Sequence, residues 1–169
     1  MLEDGSSPCT SASEIIPHLW LGNIKSSRNR DFLHDQRITC IVNCTKNYDF
    51  DNDAMLPETQ KIRVAISDTG TQEANQALLE VLDKVVTFIY KKLIKGDRVL
   101  VHCYAGKQRS PAIIVAFLIK YCDWTVTEAL TAINGKMKNH WPIQTDHYLV
   151  ALEKYRESTC GEALTAAKT

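Results

Sequence analysis

An α/β domain with a mostly parallel central β-sheet flanked by helices is the fold class this sequence predicts, and three features predict it. Short β-branched runs alternate with helical patterns along the chain, as at residues 38–44, 73–95 and 98–102. The apolar runs are nearly continuous, as in strands buried on both faces, instead of alternating with polar residues. Strands followed in turn by helices call for parallel neighbours with helices laid over the sheet.

Taken in order, residues 1–13 are polar and serine-rich and read as a flexible tail, residues 14–157 as one domain, and 158–169, with Gly161 and small residues, as a second flexible tail. The first strand is predicted at 15–21, stopped by Gly22-Asn23. Ser26 or Ser27 then caps a helix reaching about Gln36. A buried strand at 38–44 leads into a polar loop with Asp49, Asp51 and Asp53, and a further strand occupies 61–66. Leu78, Leu82, Val85, Ile89 and Leu93 share one helical face within 73–95, and Gly96 ends that helix. A strand at 98–102 precedes Ser110-Pro111, which opens a helix over 112–122, proline being tolerated in a first turn. Thr125 and Glu128 have capping-box spacing. The last helix starts near Thr145 and carries Tyr148, Leu149, Leu152 and Tyr155 on one face.

Composition narrows the function. The 169 residues hold 20 Lys+Arg and 20 Asp+Glu, without the basic excess of a nucleic-acid or membrane-surface binder. The longest apolar run, 112–119, is too short to span a bilayer. The N-terminus lacks the basic-then-apolar pattern of a secretory signal. Six cysteines without zinc-ligand spacing are then expected to be reduced thiols in a cytoplasmic or nuclear setting. Charge is uneven locally: 91–109 holds six basic residues against Asp97, whereas 46–83 holds eight acids against three bases.

The basic stretch ends in Val99-Leu-Val-His-Cys-Tyr-Ala-Gly-Lys-Gln-Arg-Ser-Pro111. A cysteine follows a buried strand, and an arginine comes six positions later, where a helix begins. Such a turn wraps the backbone N–H groups of Tyr104, Ala105, Gly106, Lys107, Gln108 and Arg109 around a concavity that, with the helix terminus, suits an anion. Gly106 permits a left-handed backbone there. Arg109 adds a planar fork for two phosphate oxygens. Helix termini and nearby cations favour the ionised form of a thiol, so Cys103 is expected to be a nucleophile. Ser110 is placed to hydrogen-bond the sulfur, and His102 to support the loop. A buried core cysteine is the competing reading of position 103, and it does not explain the fixed spacing of His102, Arg109 and Ser110 around it.

This segment resembles the signature of the cysteine-based protein tyrosine phosphatase superfamily. Glu14-Ile-Ile-Pro-His-Leu-Trp-Leu-Gly22 and Ile38-Thr-Cys-Ile-Val-Asn-Cys-Thr45 are similar to the opening strands of its dual-specificity branch. The resemblance implies hydrolysis of phosphotyrosine and phosphoserine/threonine in a phosphorylated protein substrate, through a cysteinyl-phosphate, with no metal or other cofactor. It also implies an aspartate acid about thirty residues before the cysteine. Asp68 in Val64-Ala-Ile-Ser-Asp-Thr-Gly70 takes that place; a plain turn aspartate, or Asp51 or Asp53 as the acid, are the alternatives. Pro142-Ile-Gln-Thr-Asp-His-Tyr148 departs from the branch and resembles the glutamine loop of tyrosine-specific phosphatases. Gln144 is then a water-positioning residue or a surface glutamine. Lys107 is similar to a lysine of phosphoinositide phosphatases, which keeps a phosphoinositide, inositol polyphosphate or RNA 5′ phosphate open as substrate; otherwise it points into water. Cys44 resembles a cysteine that traps the nucleophile in a disulfide, or is a buried strand residue. A catalytically inactive phosphobinding module is the remaining class, and it should lack one of the three groups present here.

Overall fold

The computed structural model describes residues 12–137 and 140–166. The strands are β1 (Ala12–Ile16), β2 (Leu19–Gly22), β3 (Cys40–Asn43), β4 (Gln60–Arg63) and β5 (Val99–His102), in one sheet of order β1-β2-β5-β3-β4. Central β5 pairs in parallel with β2 on one side and β3 on the other, and His102 is in register with both Gly22 and Asn43. Three carboxyl ends therefore finish at one level, and the residue after His102 emerges between two neighbouring strand ends. Crevices of this kind, beyond the carboxyl ends of parallel strands, are where α/β sheets bind ligands. β3 also pairs in parallel with β4, and β1 pairs antiparallel with β2.

The sheet is covered on both faces. Helix α1 (Arg30–Asp35) lies on one side, where Phe32, Leu33, Ile38 and Ile41 pack with Leu100. On the other side Val99 and Val101 join the larger core with helices α2 (Gln72–Ile94), α3 (Arg109–Cys122), α4 (Val126–Met137) and α5 (Leu149–Ala166). Successive residues of β5 thus face opposite layers, the period of two that any strand imposes. Helix α3 is buried from Arg109 to Ile119 and packs against α2, α4 and α5. An apolar helix this enclosed fixes the loop at its N-terminus rigidly.

Several boundaries differ from those read off the sequence. The expected strand over 15–21 is two strands, because Pro17-His18 turns the chain with His18 at φ 69°, and β1 begins at Ala12, inside the segment read as a tail. Ser26 and Ser27 form a 3-10 turn, and Asn29 caps α1 by accepting from the Phe32 N–H. β4 ends at Arg63, short of residue 66. A 3-10 turn over Asp146–Tyr148 precedes α5, which runs past Ser158 to Ala166, since no proline breaks it. Leu149 is 37% exposed while Tyr148, Ala151, Leu152 and Tyr155 are buried, because position 149 falls off the 148/151/152/155 stripe. The capping box forms: Glu128 N–H donates to Thr125 Oγ1 at 3.2 Å, and Thr125 N–H to Glu128 Oε2 at 2.7 Å. Residues 1–11 of the first expected tail lie outside the described residues, as do 167–169 of the second.

Candidate active site

The loop from Cys103 to Arg109 joins the end of β5 to the start of α3, and the carbonyls of Tyr104, Gly106 and Lys107 are turned outward. Ile24 N–H donates to Tyr104 O at 3.0 Å, the Trp141 indole to Gly106 O at 2.9 Å, and the N–H groups of Gln144 and Thr145 to Lys107 O at 2.9 and 3.2 Å. In a trans peptide the C=O and the following N–H point in opposite directions. Outward carbonyls at 104, 106 and 107 therefore turn the amides of Ala105, Lys107 and Gln108 inward. Gly106 N–H is seen doing this, donating to Cys103 Sγ at 3.2 Å. Gly106 has φ +74°, and an added Cβ would lie 2.6 Å from the Trp141 ring and 2.9 Å from Gly22 O. Only glycine fits.

Cys103 is 1% exposed, and the Ser110 hydroxyl lies 3.2 Å from its sulfur and 3.4 Å from Gly22 O. Burial pushes His102 down to about 4, so its ring is neutral at neutral pH. Its Nδ1 lies 3.3 Å from Cys103 O, and since a carbonyl only accepts, that nitrogen carries the proton. His102 Nδ1–H thus donates to the loop backbone at Cys103 O. Lys107 is half-buried, with its carbonyl tied to the 144–145 segment.

Arg109, 9% exposed, places Nη2 3.3 Å from Asp68 Oδ2, and its buried Nε has no partner among the described residues. A buried guanidinium donor beside a ring of amides suits an anion's oxygen. Asp68 is therefore brought to the loop, whereas Asp51 caps its own turn through Ala54 N–H and Asp53 is exposed. The other Asp68 oxygen lies 3.3 Å from His147 Nδ1, and Tyr148 OH donates to Ser67 O next door. Gln144 is exposed, its Oε1 3.4 Å from Gln108 Nε2. Gln108 Nε2 also donates to Asp146 Oδ1 at 2.6 Å, which holds that carboxyl below its ordinary range.

Cys44 follows β3, and its N–H donates to His102 O at 2.8 Å. It is fully buried, and burial, with Cys103 nearby, raises its thiol well above the ordinary value.

A cavity of about 200 Å³ opens beside Arg109 and Asp68, walled by Thr45, Lys46, Tyr48 and Ile66. Tyr48 and Tyr104 stand at its side with ring centroids 4.9 Å apart, both substantially exposed. Arg63 clasps this wall through the carbonyls of Thr45, Lys46 and Tyr48. Larger cavities of about 420 and 540 Å³ lie against α2, away from Cys103, so chemistry and not size selects the site. Sequence reasoning missed Trp141, His147, Arg63 and the Gly22 carbonyl. Each acts from a segment far along the chain, and only Asp146-His147, just before the Tyr148 stripe, offered a local signal.

A cysteine and an arginine on one loop, set between the central parallel strand and a buried helix, define the architecture of the cysteine-based phosphatases. The family model described as dual specificity phosphatase, catalytic domain, matches residues 19–158, and the chain belongs to that family. It is 32% identical over 154 residues to human dual specificity protein phosphatase 8, covering 89% of this chain and 23% of that protein. It is 32% identical over 124 residues to zebrafish dual specificity protein phosphatase 22-B, covering 72% of this chain and 62% of that one. The chain thus spans less than two thirds of the length of these curated relatives. Its fold matches a mouse putative dual specificity phosphatase at TM-score 0.80, with 20% identity over 96% of each chain. PTPMT1 matches at TM-score 0.72 with 23% identity, over 91% of this chain and 99% of that one. Among the described residues no helix is long and apolar enough to cross a membrane.

Proposed function

We propose that this chain hydrolyses phosphate monoesters on proteins, phosphotyrosine together with phosphoserine and phosphothreonine, through a cysteinyl-phosphate. The observation that carries this reading is the convergence on one cradle of the Cys103 sulfur, with two donors on it, and Arg109, 3.3 Å from Asp68. The inward amides and the Arg109 fork bind the phosphoryl oxygens and favour the charge spread over them in the transition state. The Cys103 thiolate attacks phosphorus; as the S–P bond forms, the P–O bond to the alcohol breaks and protonated Asp68 gives that oxygen its proton. Asp68, now a carboxylate, takes a proton from a water attacking the phosphorus. The P–S bond breaks and phosphate leaves, Ser110 easing departure of the sulfur by its hydrogen bond. Gln144, at the rim, holds that water, while the loop amides of 104–109 keep the phosphoryl group in place.

The Tyr48–Tyr104 wall supports an aromatic phosphoester, and the modest cavity leaves room for shorter phosphorylated side chains. A second reading, a phosphoinositide or another multiply phosphorylated substrate, is favoured by the half-buried Lys107 and by fold likeness to PTPMT1, whose structure in complex with PI(5)P is known. Side-by-side kcat/KM on phosphopeptides and polyphosphorylated inositols decides between them. Aryl phosphate turnover abolished by Cys103→Ser is expected; turnover unchanged in that variant would overturn the reading.

A further inference from the structure

We infer that His147 is a positioning residue for Asp68, fixing which of its two oxygens faces the phosphate cradle; this rests on the reading of Asp68 as the proton donor. The two oxygens have different partners: Oδ1 lies 3.3 Å from His147 Nδ1, and Oδ2 lies 3.3 Å from Arg109 Nη2. The terminal torsion of an aspartate is broad, so nothing intrinsic to the side chain selects one oxygen. Partners on opposite sides do. When a phosphate monoester fills the cradle, its oxygens draw the Arg109 fork, and Oδ2 is released to face the leaving group. His147 is then the side chain that keeps the carboxyl from swinging away.

The imidazole is itself built in. Its backbone N–H donates to Gln108 Oε1 at 3.3 Å, and its carbonyl accepts from Asn75 Nδ2 at 2.7 Å. The ring lies on Gly70, where an added Cβ would come within 3.0 Å of ring carbons, and Gly70 has φ +66°. Gly70 thus both turns the loop after Asp68 and admits the ring. His147 therefore joins three segments: the loop before α2 that carries Asp68, the phosphate loop through Gln108, and the turn before α5. The charged neighbours of the ring are Asp68 and Asp146, with Arg109 beyond Asp68; Asp146 is occupied by Gln108.

The test is leaving-group dependence. An electron-poor aryl phosphate departs without an acid, whereas an alkyl phosphate such as a phosphoserine peptide needs one. A general acid contributes about 10²–10⁴-fold. Because the pair is more than a third exposed on each side, the tether should carry a part of that. His147→Ala is expected to lower kcat on the phosphoserine peptide about 10- to 50-fold more than on the aryl phosphate, with KM little changed. His147→Asn, which retains a side-chain N–H near the Nδ1 position, is expected to recover much of the loss. In an Asp68→Ala background the His147→Ala change should add less than about twofold, since the two act as a unit. Inorganic phosphate affinity measured on each variant reports whether the cradle is intact. Equal losses on both substrates, or no loss on either, would overturn the role of His147 while leaving Asp68 in place. If Asp68→Ala itself shows no leaving-group bias, the acid assignment and this inference fall together.

Discussion

Replacing Gly106 by alanine perturbs the cradle at its tightest point. The residue sits at φ +74°, which costs an L-residue roughly 1–2 kcal/mol. The new methyl would also meet the Gly22 carbonyl at 2.9 Å and the Trp141 ring at 2.6 Å. Gly22 O belongs to the backbone of β2 and cannot turn aside, and Trp141 is held by its hydrogen bond to Gly106 O itself. Overpacking of this kind costs roughly 1–3 kcal/mol. The total, roughly 2–5 kcal/mol, corresponds to a fall in Tm of roughly 5–15 °C for a domain of this size. Gly96→Ala is an internal comparison: φ is +86° but nothing lies within 4 Å, so only the dihedral cost applies. Thermal unfolding of both variants separates packing from backbone strain. The Gly106 variant should also lose about 100-fold in kcat/KM on an aryl phosphate, because the amide directed at Cys103 Sγ is displaced; Gly96→Ala should lose none. A Gly106→Ala protein as stable as Gly96→Ala, with turnover intact, would refute the claim that this contact shapes the loop.

Three further outcomes are expected. Burial holds folded His102 at about 4 against an ordinary 6.5, so the unfolded chain binds more protons between those values and stability falls as pH drops through them. The slope approaches 1.36 kcal/mol per unit only once the unfolded imidazole is mostly protonated, so from pH 6.5 to 5 the loss is roughly 1.5 kcal/mol, measurable by urea unfolding, and His102→Asn should flatten that slope. Arg109→Lys keeps the charge but loses the fork, and is expected to lower kcat/KM about 100-fold; an effect under threefold would show that the guanidinium does not clamp phosphate. Peroxide converts a thiolate to sulfenic acid, and Cys44 is expected to displace water from it, giving a Cys44–Cys103 disulfide slowly, because burial keeps the Cys44 thiol protonated. Peptide mass mapping without that crosslink would remove the role.

How much of this was legible in the sequence varied with the range of the interaction involved. The buried runs at β3 and β5 and the long stripe of α2 were readable because each is set by local pattern and deep burial. The capping box of α4 was readable because both partners lie within one turn. The hairpin at Pro17-His18 was not: histidine at positive φ carries none of the glycine or asparagine signal of such a turn, the position is tied through Glu14 Oε1 and Val99 N–H, and proline there was compatible with an edge strand. At the site, Cys103, Arg109 and Ser110 follow from spacing along one loop. Asp68 could be ranked above Asp51 and Asp53 only by resemblance, and it is the fold that brings it to Arg109. Trp141 and Arg63 carried no signal. Their contacts are with backbone carbonyls, which every residue offers, so no residue type at the far end marks them.

The most direct measurement is acid-quench trapping of the enzyme during turnover of an aryl phosphate, followed by peptide mapping. One phosphoryl group on Cys103, absent in Cys103→Ser and suppressed by excess inorganic phosphate, is the predicted result. A protein that turns over the ester while no phosphoryl group appears on Cys103 would contradict it, as would label carried by any other residue.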